Sequence, residues 1–448
     1  MHTLFKKAVV WIITLEARAV LRKYKPKVVA ITGSVGKTST KDAIYAVLAQ
    51  GMRVRKSEKS FNSEIGLPLT ILGCPNAWGN PLRWLQNILD GLFLIMLTVQ
   101  YPEWLVLEVG ADRPGDIRSL ADWLAVDIAV ITRLPEIPVH VEFFDSPEAV
   151  IEEKAALLDA VRPGGTIALF ADDPRTLSLQ HRLPAPDARI ITFGFSKEAD
   201  VRGEQVALLR EEGPNAFGWP VGMQARIVSE GVSVPFEVVG AAGSHALLPA
   251  LAAAAVGRAL HKPLGESVGA LERYDPPPGR MRLVRGLKGA LIIDDSYNSS
   301  PAAAEAALET LALVGSRSDL LGRSDLQKYR KIAVLGDMLE LGRHSAAEHR
   351  KVGAHAARAV DLLLTIGFRA RDIAQGALDA GMPDKNILQF EDAGKAGEEL
   401  QNLLREGDCV LVKGSQSVRT ERVVEEVMAE PERAAELLVR QDAEWKKR

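Results

Sequence analysis

The chain has 448 residues, too many for one hydrophobic core, and is expected to divide into two or three domains. Apolar residues at 47% and charged residues at 25% are ordinary for a soluble globular protein, and a net charge of −3 gives no basis for a nucleic-acid partner. Two cysteines, Cys74 and Cys409, argue against a disulfide framework or a cysteine metal site and suit a reducing cytoplasm.

Residues 1–27 read as a basic, partly apolar helix, with Lys6 and Lys7 ahead of the apolar run 8–15. That run is too short for a bilayer span, which takes about 20 residues, and no small-residue cleavage site follows it. Two readings stay open: a helix packed on its own protein, or one lying in a membrane interface, which the basic flanks and Trp11 would suit.

The apolar strand 28–31 then breaks into Thr32, Gly33, Ser34, Val35, Gly36, Lys37, Thr38 and Ser39 before a helical pattern begins. This is how a chain cradles phosphates. Gly33 and Gly36 let backbone N–H groups turn inward, Lys37 supplies a cation for β- and γ-phosphates, and the Thr38 hydroxyl can ligate Mg²⁺ at a helix N-terminus. The spacing departs from the common form, since Ile31 stands where the first glycine usually does.

A helix over 41–50 closed by Gly51 is followed by a polar loop, 59–68, that contains Asn62. The apolar run 92–99, preceded by Asp90, is too short to span and would add to the surface of the N-terminal helix. Buried-strand patterns follow at 104–110, with Glu108 near the end, and at 126–132, with His140 in the loop beyond. The spacing predicts a helix over 147–161 carrying Lys154, then a strand at 166–170 running into Asp172 and Asp173. Such alternation implies a mostly parallel sheet covered on both faces. Between 190 and 239 the pattern is that of appended antiparallel strands, closed by an alanine-rich helix over 246–260.

The proline run in 275–279 is the clearest linker. Past it, strands at 290–294, 331–335, 361–366 and 409–412 alternate with helices near 302–313, 346–359, 373–380 and 393–404, a second, Rossmann-like α/β domain; 316–328 reads as a surface insertion. The expected organisation is a helix at 1–26, a central P-loop domain at 27–274 and a C-terminal domain at 275–448. Ligands in such sheets sit beyond the strand carboxyl ends.

In order along nearly the whole chain, the stretches 32–38, 62–68, 107–111, 140–142, 277–281, 294–298, 335–342 and 412–415 resemble the motifs of the Mur ligase family. The resemblance implies an ATP-dependent, amide-forming ligase in which a carboxylate attacks the γ-phosphate and the resulting acyl phosphate is captured by an amine. Its substrates would be a UDP-N-acetylmuramoyl-tripeptide-like precursor and D-Ala-D-Ala, in cytoplasmic peptidoglycan synthesis by a monomer. It implies that the loop from Gly33 to Ser39 binds ATP, that Thr38 and Glu108 hold Mg²⁺, and that His140 and a carbamylated Lys154 serve a second metal. Arg280 would reach the γ-phosphate and Asp295 the ribose. Asn62, Asn298, Asp337, His349, Lys413 and Ser415 match positions near the substrates. Alone, Glu108 reads as a capping or solvated carboxylate, His140 as a loop histidine, Lys154 as a surface lysine beside Glu152 and Glu153, and His349 as a turn or cap residue.

The chain also departs from the family pattern. Ala246 and Pro249 replace two asparagines that help bind adenine. Residues 1–26 are too few for the domain that usually holds the UDP-sugar, so either that end is held otherwise or the carboxylate belongs to another class of substrate, such as a lipid-linked precursor. A nucleotide-binding protein that has lost turnover is a further alternative, which the retained Lys37, Glu108, His140 and Lys154 oppose.

Overall fold

The computed structural model describes residues 3–57, 64–182, 187–211, 219–315 and 329–446, so Asn62 and the stretch 316–328 lie outside the described residues. The first sheet is built from β1 (Lys27–Thr32), β2 (Val54–Lys56), β3 (Trp104–Glu108), β4 (Val126–Ile131), β5 (Val161–Phe170), β6 (Arg189–Gly194), β7 (Val201–Arg210), β8 (Pro220–Ser229) and β9 (Val232–Val239). Its strand order is β2-β3-β1-β4-β5-β6-β7-β8-β9. The strands from β2 to β7 pair in parallel, and only β7, β8 and β9 form an antiparallel meander. The expectation of antiparallel pairing from residue 190 is thus corrected for β6, which lies parallel to β5 and buries Ile191 and Phe193 in the main core.

The helices of this half are α1 (Thr3–Tyr24), α2 (Lys37–Ala49), α3 (Gly66–Leu72), α4 (Pro81–Met96), α5 (Asp116–Ala121), α6 (Pro147–Ala155), α7 (Pro174–Ser178), α8 (Leu248–Ala259) and α9 (Leu264–Ala270). On one face, Ile13 of α1, Leu69 of α3 and Ile117 of α5 share a core with Leu105 and Leu107 of β3. On the other, Ile44 and Val47 of α2 meet Ala253 and Val256 of α8. α1 buries Val9, Ile13, Ala17 and Val20 at helical spacing, so one side of it is packed on its own protein. Each buried valine or isoleucine side chain among them contributes about 1.5–3 kcal/mol. No described helix is long and apolar enough to cross a membrane.

The helix expected to reach residue 161 stops at Ala155, gives way to a 3₁₀ stretch over Ala156–Ala160, and is replaced at Val161 by β5. Ser146 starts α6 by accepting a hydrogen bond from Ala149 N, with Pro147 at its first position. Lys154 is therefore carried in the last turn of a short, well-capped helix.

The second sheet contains β10 (Arg282–Arg285), β11 (Leu291–Asp295), β12 (Lys331–Gly336), β13 (Leu362–Ile366), β14 (Ile387–Phe390) and β15 (Cys409–Lys413) in the order β10-β11-β15-β12-β13-β14. All pair in parallel except β10, antiparallel at the edge. Flanking it are α10 (Pro301–Gly315), α11 (Ser345–Ala359), α12 (Arg371–Asp379), α13 (Ala393–Leu403) and α14 (Glu421–Val427), followed by the short α15 (Ala434–Leu437) and α16 (Ala443–Lys446). The proline run lies between the two sheets.

Candidate active site

The carboxyl ends of β1 and β3 and the first residues after the proline run face one cleft of about 1050 Å³. At its floor, β1 feeds the glycine loop. Gly33 has φ 137°, and a Cβ there would stand 2.0 Å from Thr132 Oγ1, so no larger residue fits. Gly36 has φ 84° and opens α2 as its left-handed N-terminal residue. Ser34 N donates to the Arg133 carbonyl at 2.9 Å, tying the loop to the end of β4. Lys37 folds back and donates from Nζ to Gly33 O at 3.0 Å; burial pulls its pKa down, with Glu108 opposing. α2 begins at Lys37, earlier than the pattern 41–50, because the loop glycine itself starts the helix.

Thr38 is the meeting point of the two halves. Its hydroxyl donates to Glu108 Oε2 at 2.8 Å and accepts from Arg280 Nη2 at 2.9 Å. Glu108 is buried at the end of β3. The Arg280 guanidinium carbon stands 4.0 Å from the centroid of the Tyr297 ring, a cation–π contact that helps hold its side chain. The described residues contain no group of three or more His, Cys, Asp or Glu fit to hold a metal alone. Two hard oxygen donors, the Glu108 carboxylate and the Thr38 hydroxyl, suit Mg²⁺, which usually takes one or two protein ligands and completes its shell with water and phosphate oxygens.

His140, held at φ 72°, extends the cleft. Its Nδ1 is 2.6 Å from Glu340 Oε2 and its Nε2 is 3.5 Å from Asp112 Oδ1. Glu340 comes from the second half of the chain, its carbonyl accepts from Glu142 N at 3.2 Å, and hydrogen bonding to His140 holds its carboxyl below the usual range. Lys154 is fully buried and does not line the cleft. Burial, reinforced by Lys37, lowers its pKa to about 7 against the pull of Asp112, Glu153 and Asp116. It is not the surface lysine that its acidic neighbours suggested: Glu153 turns inward to accept from Ile117 N and Arg118 N at 2.7 and 3.1 Å.

In the second half, Asp295 accepts from Met281 N at 3.2 Å and from Lys413 Nζ at 2.5 Å, and Lys413 also donates to Asn298 O at 2.9 Å. Asp295, Asn298, Lys413 and Ser415 all line the cleft. Asp337 and His349, expected near the substrates, do not. Asp337 Oδ1 accepts from Ala370 N ahead of α12 at 2.7 Å. His349 is fully buried, its Nε2 accepting from Met338 N at 2.9 Å and its Nδ1 2.7 Å from Ser345 O, and burial lowers its pKa. Both brace, from behind, the 336–342 loop that delivers Glu340; sequence spacing could not separate a residue in the cleft from one supporting its wall.

The sequence reading passed over the polar residues Asp112, Arg133 and Glu340 and the rings of Phe170, Phe193 and Phe195, all of which line the cleft, as do His245, Ala246 and Pro249. Phe170 and Phe193 stand 5.9 Å apart in a tilted pair. An apolar, aromatic lining is suited to a flat base. Glu340 stood inside a motif already noted, and the phenylalanines close β5 and β6, so their strand-end positions were the available signal.

The Mur ligase middle domain family matches residues 31–257, and the family described as Mur ligase, glutamate ligase domain, matches 279–416. The UDP-N-acetylmuramoyl-tripeptide--D-alanyl-D-alanine ligase of Mycobacterium tuberculosis (strain ATCC 25618 / H37Rv) is 30% identical over 420 residues, 90% of this chain and 73% of that protein. Its counterpart in Bacillus subtilis (strain 168) is 28% identical over 417 residues, 93% and 79% of the two chains. The crystal structure of MurF ligase from Thermotoga maritima in complex with ADP superposes with a TM-score of 0.72 at 27% identity, over 93% of this chain and 83% of that one.

Proposed function

The chain belongs to the Mur ligase family, and we propose that it uses ATP to join D-Ala-D-Ala to a UDP-N-acetylmuramoyl-tripeptide in peptidoglycan synthesis. The observation that carries this reading is the Thr38 hydroxyl held between Glu108 and Arg280, which gathers the phosphate loop, a carboxylate and an arginine from the far half of the chain at one point.

The terminal carboxylate of the peptide attacks the γ-phosphorus and the bond to the β-γ bridging oxygen breaks, giving an acyl phosphate and ADP. The amine of the dipeptide then attacks the acyl carbon, phosphate leaves, and the amine gives up a proton. Bringing two anions together demands positive charge. Lys37 in the glycine loop and Arg280 at the Thr38 hydroxyl supply it and orient the terminal phosphate. Mg²⁺ held by Glu108 and Thr38 would screen phosphate charge. Lys154, neutral above about pH 7, can add CO₂ through its amine nitrogen and lose a proton, exchanging an ammonium for a carbamate oxygen ligand that acts with His140. Asp295 suits the ATP ribose and Phe170, Phe193 and Phe195 the adenine, in place of the asparagines replaced by Ala246 and Pro249. Asn298, Lys413 and Ser415, with Asn62, would serve the substrates. Contact between residues 27–274 and 275–448 excludes water from the acyl phosphate.

Use of ATP and a nucleotide-linked precursor puts the work in the cytoplasm, by a monomer that meets the membrane's inner face through α1 and α4. Leu82, Phe93 and Met96 of α4 and Trp11 of α1 are exposed, which favours a second reading, in which the activated carboxylate is lipid-linked. Phosphate release with ATP, Mg²⁺ and UDP-muramoyl tripeptide, with and without D-Ala-D-Ala, tests the proposal. Release requiring both substrates is expected; release only with a lipid-linked peptide would select the second reading, and ATP binding without release on any acceptor would overturn both.

A further inference from the structure

α1 and α4 lie side by side and run in the same direction. Lys23 Nζ and the Tyr24 hydroxyl, at the end of α1, both donate to the Leu94 and Leu97 carbonyls at the end of α4. α4 turns Trp84, Asn87 and Gly91 inward. Outward it turns Leu82, Leu85, Leu89, Leu92, Phe93 and Met96, whose three- and four-residue spacing makes one unbroken apolar stripe. Leu82 and Met96 are each 77% exposed and Phe93 58%. On α1, Trp11 is 65% exposed and Leu15 is exposed as well. An exposed apolar surface of this extent marks an interaction site rather than ordinary surface.

The charges at its borders say which kind. Lys7 and Arg83 stand at the N-terminal ends of the two helices, and Arg22 and Lys25 at the C-terminal end of α1, all exposed. α1 holds five basic residues and one acidic, Glu16, which is buried, and α4 adds Arg83 and the exposed Asp90, so the pair stays basic in a chain of net charge −3. Basic groups bracketing an apolar stripe complement lipid phosphates above an acyl boundary, and Trp11 fits that boundary. A second copy on the same face would set one basic border against another, which like-charge repulsion disfavours.

We infer that the α1–α4 face docks on an anionic lipid surface, both helices lying in the membrane plane. Neither is long and apolar enough to cross, so the contact is peripheral. The inference deepens the membrane contact proposed above and does not depend on which carboxylate is activated.

Flotation of the full chain with vesicles of phosphatidylcholine, with and without phosphatidylglycerol, tests it. The wild type should float with the anionic vesicles and be released by high salt. Lys7→Gln/Arg22→Gln/Lys25→Gln should lose about tenfold or more in partitioning, together with the salt dependence. Leu85→Glu/Leu89→Glu/Phe93→Glu changes only outward side chains, so it should keep ATP binding by thermal shift yet remain unbound. Wild type that stays with the unbound fraction, or a triple-glutamate variant that floats equally well, overturns the inference. So does a dimer seen by light scattering that the triple-glutamate variant abolishes while neither protein floats, since the face would then belong to a second copy. Flotation needs no substrate, so its failure leaves the ligase reading standing, and absent phosphate release leaves the docking standing.

Discussion

Arg280 donates from one guanidinium nitrogen to Thr38 while its guanidinium carbon stands 4.0 Å from the Tyr297 ring centroid. Lysine in its place keeps the charge but not the planar fork. Arg280→Lys is expected to lower kcat by about 10²–10³-fold, the usual cost of removing one preorganised contact to developing charge, while ATP still binds; steady-state rates beside ATP titration check this. Lys154 makes a second case. Between its pKa of about 7 in the folded chain and the ordinary 10.5, the unfolded chain carries a proton that the folded chain lacks. Stability contributed at this position therefore rises as pH climbs from about 7 to 10.5. In Lys154→Met the melting temperature should rise less over that window than in wild type, and turnover should be absent even with added bicarbonate; unchanged turnover would remove the carbamate role. At this scale Lys37 and Thr38 were legible because loop chemistry is local, whereas Glu108, which alone reads as a capping or solvated carboxylate, was singled out only by the family resemblance. The depth of Lys154 was not legible, since Glu152 and Glu153 beside it imitate a surface, and neither was the pairing of His140 with Glu340, which depends on contact between distant parts of the chain.

Among the elements, long patterned strands such as β3, β4 and β15 were readable, whereas β2, β10 and β14, with three or four residues each, carry too little periodicity to register. β6 was misjudged for a related reason: alternation describes a half-covered strand and does not say whether its neighbour runs parallel. The crossing of α1 and α4 holds something no periodicity reveals. Glu16 is 5% exposed, neither carboxyl oxygen has a hydrogen-bond partner among the described residues, and a Cβ on Gly91 would stand 2.3 Å from Oε2. Burial raises this carboxyl from 4.5 to about 7, so between those values the folded chain holds a proton that the unfolded chain has released, and stability falls as pH rises across the window. Glu16→Gln, of the same shape and never charged, is expected to gain about 1–3 kcal/mol at pH 8 and little at pH 5. Thermal unfolding of both proteins at the two pH values measures it, and an equal pH dependence in the variant would show that Glu16 is not the group responsible.

At the scale of the whole molecule, the site exists only because two sheets meet: Thr38 with Arg280 and His140 with Glu340 each join residues from opposite sides of the proline run. Both sheets could be anticipated from strand spacing, but not the C-terminal tail, whose short helices have no strong pattern. Yet the tail reaches the centre. Arg440, buried after α15, donates to the Ser296 and Tyr297 carbonyls and pairs with the buried Glu421 at 2.8 Å, and Trp445 beyond it lines the cleft. Tyr297 is the ring that Arg280 contacts, so Arg440 acts on the site through that loop. Arg440→Met alone should destabilise by about 3–5 kcal/mol, because Glu421 stays buried with only Arg419 left to oppose it. Such a loss cannot by itself separate folding from positioning. Adding Glu421→Gln removes the stranded negative charge while leaving an amide oxygen for Arg419, and should restore part of the melting temperature. If Arg440 positions Tyr297, kcat in the double variant stays low at temperatures where it is fully folded; if Arg440 serves only to hold the tail, kcat recovers with stability.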